Sequence, residues 1–166
     1  MASGNSLVTF GPLDNEPPSS NFATIDTRNS QPCLDFDAAT DESAVFSAVL
    51  PRHYGGGGVT VRIYWAATSA TSGSVRWQAA FERQASGGDD IDSDSFATAN
   101  SAGGTADGTS GKLTYTDITF TDGAQMDSLA VGERFRLKVN RDADGTSGTD
   151  DATGDAELLA VELIET

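Results

Sequence analysis

Residues 55–84 read GGGGVTVRIYWAATSATSGSVRWQAAFERQ and constrain the fold more than any other part of the chain. After four glycines, Val59, Val61, Ile63 and Trp65 alternate with Thr60, Arg62, Tyr64 and Ala66. That period of two is the mark of a strand with one buried face. Residues 68–73 form an uncharged polar turn, and a second run places Val75, Trp77, Ala79 and Phe81 opposite Arg76, Gln78, Ala80 and Glu82. Both tryptophans of the protein fall on the apolar phase of these runs. The spacing predicts a hairpin at the centre of an all-β core, with Trp65 and Trp77 inside it.

Six further segments carry strand character: residues 22–27, 33–37, 44–50, 113–121, 134–141 and 156–164. In the last, Leu158, Leu159, Val161, Leu163 and Ile164 also fit a short helix, but the alternation of Val161, Glu162 and Leu163 favours a strand. Within 113–121 the apolar parity slips between Leu113/Tyr115 and Ile118/Phe120, which predicts a β-bulge near Asp117. About eight antiparallel strands in residues 22–166 predict a single jelly-roll β-sandwich. The connections 85–112 and 142–155 are rich in Ser, Gly and Asp and read as long surface loops, and 121–132 as a more ordered crossover. Residues 1–21 read as an extended N-terminal arm, in which Pro12, Pro17 and Pro18 block regular structure. Leu7, Val8, Phe10 and Leu13 give that arm apolar anchors, either for a neighbouring surface or for its own domain.

The formal net charge of −15 argues against nucleic acid and anionic membrane as partners, since phosphate contacts need clustered Lys and Arg. It suits a highly solvated surface, cation binding or a salty medium. Cys33 is the only cysteine, so no intrachain disulfide forms, and its expected place is the core. The N-terminus has neither the basic region nor the apolar stretch of a signal peptide, so synthesis in the cytosol is expected.

Catalytic signatures are sparse. His53 is the sole histidine and no G-x-S-x-G elbow accompanies it. Zinc sites and metal hydrolases want more His or Cys than the chain has. Asp35 and Asp37, with Glu42 or Glu82, form the only carboxylate pairings of note, and 25 acidic residues make such pairings unspecific. The reading is therefore of a non-enzyme. Asp142, Asp144, Asp150 and Asp151 concentrate oxygen ligands in one loop and make calcium the one candidate ion. An EF-hand is excluded because its sixth and twelfth positions would be Ser147 and Thr153. Asp89, Asp90, Asp92 and Asp94 form a second acidic group. Tyr54, Tyr64 and Tyr115 are candidate glycan contacts, and Arg62, Tyr64 and Arg76 are a candidate protomer contact on the hairpin's polar face.

The segment from Asn21 to Gln84, including NFATIDTRNSQPCLDFDAAT and the paired alternating runs, resembles uncharacterised proteins encoded in tailed-bacteriophage virion gene clusters. The resemblance implies a jelly-roll virion component made in the host cytoplasm. Its main implied role is a capsid decoration (cement) protein, a homotrimer that contacts the major capsid protein and stabilises the head through the arm residues Leu7, Val8, Phe10 and Leu13. The alternative is a tail-fibre or receptor-binding module, that is, a carbohydrate-binding β-sandwich.

Overall fold

The computed structural model describes residues 4–166; residues 1–3, the tip of the expected arm, lie outside the described residues. Ten strands build two antiparallel sheets packed face to face. They are β1 (Ser6–Phe10), β2 (Thr24–Arg28), β3 (Gln31–Phe36), β4 (Glu42–Val49), β5 (Val59–Ala67), β6 (Ser74–Gln84), β7 (Asn100–Thr105), β8 (Thr114–Phe120), β9 (Arg134–Arg141) and β10 (Ala156–Glu165). The larger sheet runs β2-β3-β10-β5-β8, with β1 beside the second half of β10; the smaller runs β4-β9-β6-β7. The predicted all-β sandwich and its eight strands are present, and β1 and β7 add to them. Among the described residues no helix is long and apolar enough to cross a membrane.

β5 and β6 are not a hairpin. β5 pairs with β10 and β8 in the large sheet, while β6 pairs with β9 and β7 in the small one. The turn between them arches across the sandwich. Trp65 and Trp77 therefore face each other from opposite sheets, ring centroids 6.1 Å apart at 61°. Edge-to-face pairs extend the core on both sides, Trp77 with Phe36 and Phe81 with Phe120, each at 5.0 Å. Fully burying each of these large side chains contributes a few kcal/mol, about 1.5–3 for a Phe-sized group.

The expected bulge near Asp117 is absent, for β8 pairs with β5 in continuous register from Phe120 to Thr114. Thr116, Ile118 and Phe120 point inward; Leu113 and Tyr115 simply point out, 57% and 53% exposed. The parity slip marks an apolar outer surface instead of a backbone defect. A register shift lies in β10 between Leu158 and Ala160, so that Leu159 and Ala160 both leave the core.

Residues 6–10 are not a free arm. β1 is hydrogen-bonded along β10, Leu7 and Phe10 are buried, and Phe10 stacks on Phe46 at 5.2 Å. The open alternative thus resolves toward packing on its own domain, with only Leu13 strongly exposed.

β7, inside the segment read as a loop, explains one glycine. The Trp65 indole N–H donates to Thr116 Oγ1 at 3.0 Å, and Gly104 passes directly over that pair. A Cβ at residue 104 would lie 2.0 Å from Thr116 Oγ1 and 3.0 Å from the Trp65 ring. Gly104→Ala is expected to destabilise the fold by about 1–3 kcal/mol through overpacking. Thr116→Val should cost about as much by leaving the indole N–H unpaired. Denaturant midpoints of the two variants check both expectations.

Candidate functional site

The sandwich has two outer faces, and on one of them a long loop folds back across the strands. On the small sheet, residues 85–99 fold back across β6 and β9. Phe96 lies under the cationic heads of Arg136 and Lys138, and Ala97 N–H donates to the Phe81 carbonyl. Beneath this cover Ala80 and Glu82 are buried although they point away from the core, and Glu82 is ion-paired to Arg136 at 2.8 Å. Asp89 anchors the loop through two 3.1 Å contacts to Arg83 and one to the Ala85 N–H, while the Asp90 side chain accepts from the Asp92 N–H.

Arg76 belongs to this covered side. Its guanidinium donates to Ser101 and packs against Gly148. It cannot share a contact surface with Arg62 and Tyr64, which lie on the opposite face of the molecule. Once β5 and β6 sit in different sheets, their polar sides point in opposite directions.

The acidic loop is held by a buried ion pair. Arg141 points inward from β9, fully buried, and binds Asp150 through both oxygens at 2.7 and 3.0 Å. The carbonyls of Phe36, Ala152 and Gly154 accept its remaining N–H groups. Asp150 is therefore a structural counter-ion, and Asp151 accepts the Ser74 N–H. The four loop acids do not converge on one point. Asp142 and Asp144 instead meet Asp41, with candidate ligand atoms within 4.8 Å of one another. Asp142 already accepts from Thr146 and from the backbone and hydroxyl of Ser147; burial pushes its carboxyl up, but these hydrogen bonds together outweigh it and hold the carboxyl below the usual carboxylate range.

Tyr54 is also structural. It is buried in the core cluster, accepts from Gly58 N–H at 2.8 Å and donates to Asp122 at 3.0 Å. Desolvation pushes its phenol up to about 12. Of the candidate carboxylates, Glu42 stays beside Asp37 and accepts its N–H at 2.9 Å while the Asp37 side chain caps the turn at Ala39 and Thr40; Asp35 is on the large sheet and Glu82 on the far sheet.

The outer face of the large sheet is only partly covered by the described residues, with Cys33, Ala66 and Glu157 buried on it and Leu113 and Tyr115 exposed, and the remaining candidates gather there. Cross-strand register sets Arg62 opposite Asp117 and Tyr64 opposite Tyr115, with Glu162 and Ala160 completing the two rows on β10. Arg62 grips Asp117 through two hydrogen bonds of 2.7 and 2.8 Å, lies 4.0 Å from the Tyr115 ring centroid, and is held protonated above its usual range by that carboxylate. The Tyr64 hydroxyl donates to Glu162 at 3.0 Å, and Ser6 donates to the same carboxylate. The two tyrosine rings are 6.1 Å apart. Beside them runs a trough of about 580 Å³ lined by Gly11, Pro12, Leu13, Gln31, Pro32, Tyr64, Leu113, Leu159 and Ala160. It continues past Leu113 and Leu159 into a hollow of about 260 Å³ walled by Arg28, Asn29, Ala66 and Gly111. Leu113, Leu159 and Ala160 were not singled out from sequence. Their signals were the parity slip in β8 and the doubled leucine in β10.

At the far end of this face Cys33, Asp35 and Glu157 bring candidate ligand atoms within 4.8 Å of one another. Cys33 is fully buried, as its type suggested, and burial pushes its thiol up to about 11, which keeps it neutral. Glu157 is ion-paired with Arg28 at 2.5 Å. Asp35 has one buried oxygen without a partner, and burial, then Glu157, Asp26 and Asp155, raise its carboxyl from the ordinary 3.8 to about 6.

No family model and no curated protein matches the chain. Among solved structures it is similar to the CBM22-1 xylan-binding domain of Paenibacillus barcinonensis Xyn10C, at 12% identity and a TM-score of 0.49, covering 100% of this chain and 98% of that one. It is similar to the carbohydrate-binding module CBM36 in complex with calcium and xylotriose, at 14% identity and a TM-score of 0.47, covering 95% and 99%. It is also similar to CBM6cm-2 from Cellvibrio mixtus lichenase 5A in complex with cellotriose, at 14% identity and a TM-score of 0.48, covering 98% and 99%. At such identities and TM-scores nothing about ligand or activity passes to this chain. Its own residues must supply the chemistry.

Asp35 yields a pH-dependent expectation. Its value is higher folded than unfolded, so the folded state holds the proton more tightly. The stability this confers is present at low pH and is lost as pH rises from about 4 through about 6. Asp35→Asn imitates the protonated form. Its melting temperature should exceed that of the native chain above about pH 6, with the gap closing toward about pH 4. Calorimetry across that range checks the sign.

Proposed function

We propose that the chain is a non-catalytic carbohydrate-binding β-sandwich that takes a glycan on the outer face of its large sheet. The observation that carries this reading is the Tyr64–Tyr115 pair beside a mainly apolar trough on the outer face of the large sheet. A sugar ring has an apolar C–H face and a rim of hydroxyls. It needs aromatic or aliphatic surface beneath and fixed hydrogen-bonding groups at the edges, the general composition of a small-ligand site.

The polar groups here are held in advance. Glu162 pins the Tyr64 hydroxyl and Asp117 pins Arg62, so little rotamer freedom remains to be lost on binding. The decoration reading depended on an apolar arm free to grip another surface, and Leu7 and Phe10 are instead part of this chain's own core. What supports the carbohydrate reading over it is the placement of exposed apolar groups on a sheet face.

Tyr64→Ala should weaken glycan binding at least tenfold, the equivalent of about 1.4 kcal/mol. Tyr115→Ala should weaken it less, since Arg62 already covers one side of that ring. Arg76→Ala, on the opposite face, should change nothing. Affinity electrophoresis against soluble polysaccharides, with circular dichroism to confirm folding, measures all three. Unaltered retardation of Tyr64→Ala would sink this placement of the site.

A further inference from the structure

We propose that the ligand of this face is an uncharged, extended glycan of at least three sugar residues that lies across the strands, not along them. This rests on the carbohydrate reading above and adds the charge, length and direction of the ligand.

Direction follows from register. Three cross-strand rows succeed one another on the outer face. Glu162, Arg62 and Asp117 form a charged row; Ala160, Tyr64 and Tyr115 form the next; Glu157 and Ala66 begin a third, toward Leu113. A chain laid along the strands would have to cross the charged row and displace the Arg62–Asp117 pair. Across the strands it meets a mainly apolar floor, from Leu113 by way of Tyr64 and Leu159 to Pro32, with Gln31 a polar group at its β3 end. That path runs from β8 over β5 and β10 to β3, three strand spacings or about 14 Å. A pyranose residue is about as long as one spacing, so three residues fill the path.

Charge follows from pairing. Each guanidinium bordering the floor is already neutralised, Arg62 by Asp117 and Arg28 by Glu157. Lys112, at the approach to β8, sits 3.8 Å from Asp107. Among the described residues the Glu162 carboxylate has no ion-pair partner within salt-bridge distance; its neighbour Arg62 is paired with Asp117, and it accepts from the hydroxyls of Tyr64 and Ser6. The trough thus presents a residual negative charge within a chain of net charge −15. A uronate or sulfated glycan would be repelled, and among the described residues no Lys or Arg lines the trough to bind it.

The test is calorimetric titration of the full chain with two ladders from dimer to hexamer. One holds neutral β-1,4-linked glucose and xylose oligosaccharides; the other holds oligogalacturonates. For a neutral ladder, affinity should rise at least tenfold from dimer to tetramer and then level off, with little change between low and high salt. The anionic ladder should show no binding at low salt. Equal affinity for dimer and hexamer, or an oligogalacturonate bound more tightly than a neutral chain of the same length, would overturn the inference while leaving the carbohydrate reading in place. Absence of binding to either ladder, and to polysaccharides in general, would overturn both.

Discussion

The contact between Trp65 and Trp77 decides most of what this molecule is. Two strands that follow one another in the chain place their largest side chains in the same buried layer from opposite sheets. Once those rings meet, the polar sides of β5 and β6 must become opposite outer surfaces of the sandwich. Arg62 and Tyr64 are sent to one side of the molecule and Arg76 to the other. Gly104 and Thr116 exist in the forms they do because the Trp65 indole must be reached by backbone on one side and by a hydrogen-bond acceptor on the other.

The two outer surfaces then have different fates. Residues 85–99 close over the small sheet, held by Arg83, Arg136 and Lys138, and Arg141 ties down the acidic loop through a desolvated carboxylate. Removing one partner of such a buried pair leaves an uncompensated charge, so the loop is as much part of the fold as the strands. Six of the ten basic residues are engaged in ion pairs, of which only Arg141–Asp150 is buried on both sides. Most of the remaining acids lie on the surface, but Asp142 and Glu165 are buried without an ion-pair partner among the described residues. On the large sheet the cover is partial: Arg28 and Gly111 close over Ala66, while Leu113 and Tyr115 remain exposed.

The strand phases were legible in the sequence because side-chain alternation is a local property. Which strand sits beside which was not. Alternation says that Trp65 and Trp77 face inward, but a hairpin and an arch produce the same pattern. The bulge was placed in the wrong strand for a related reason. An outward-facing Leu113 and Tyr115 mimic a change of phase, whereas the real shift at Leu159 was hidden by an unbroken run of apolar residues. β1 and β7 escaped notice because one is short and followed by prolines and the other, NSAGGT, has almost no side chains to alternate. Arg141 could not be foreseen as an inward charge, since its partner Asp150 and three carbonyl acceptors come from elsewhere in the chain. Of the site, Tyr64 and Tyr115 were visible as outward aromatics; the trough beside them depends on pairing and was not.

The central claim is that the outer face of the large sheet binds a glycan. Backbone amide chemical shifts of the isotope-labelled protein, followed during titration with a neutral oligosaccharide, test it most directly. The account predicts shifts confined to the outward positions of β5, β8 and β10 around Tyr64, Tyr115 and Ala160, with residues 85–99 and 142–155 unmoved. Shifts centred on those loops of the small sheet, or none at saturating ligand, would contradict it.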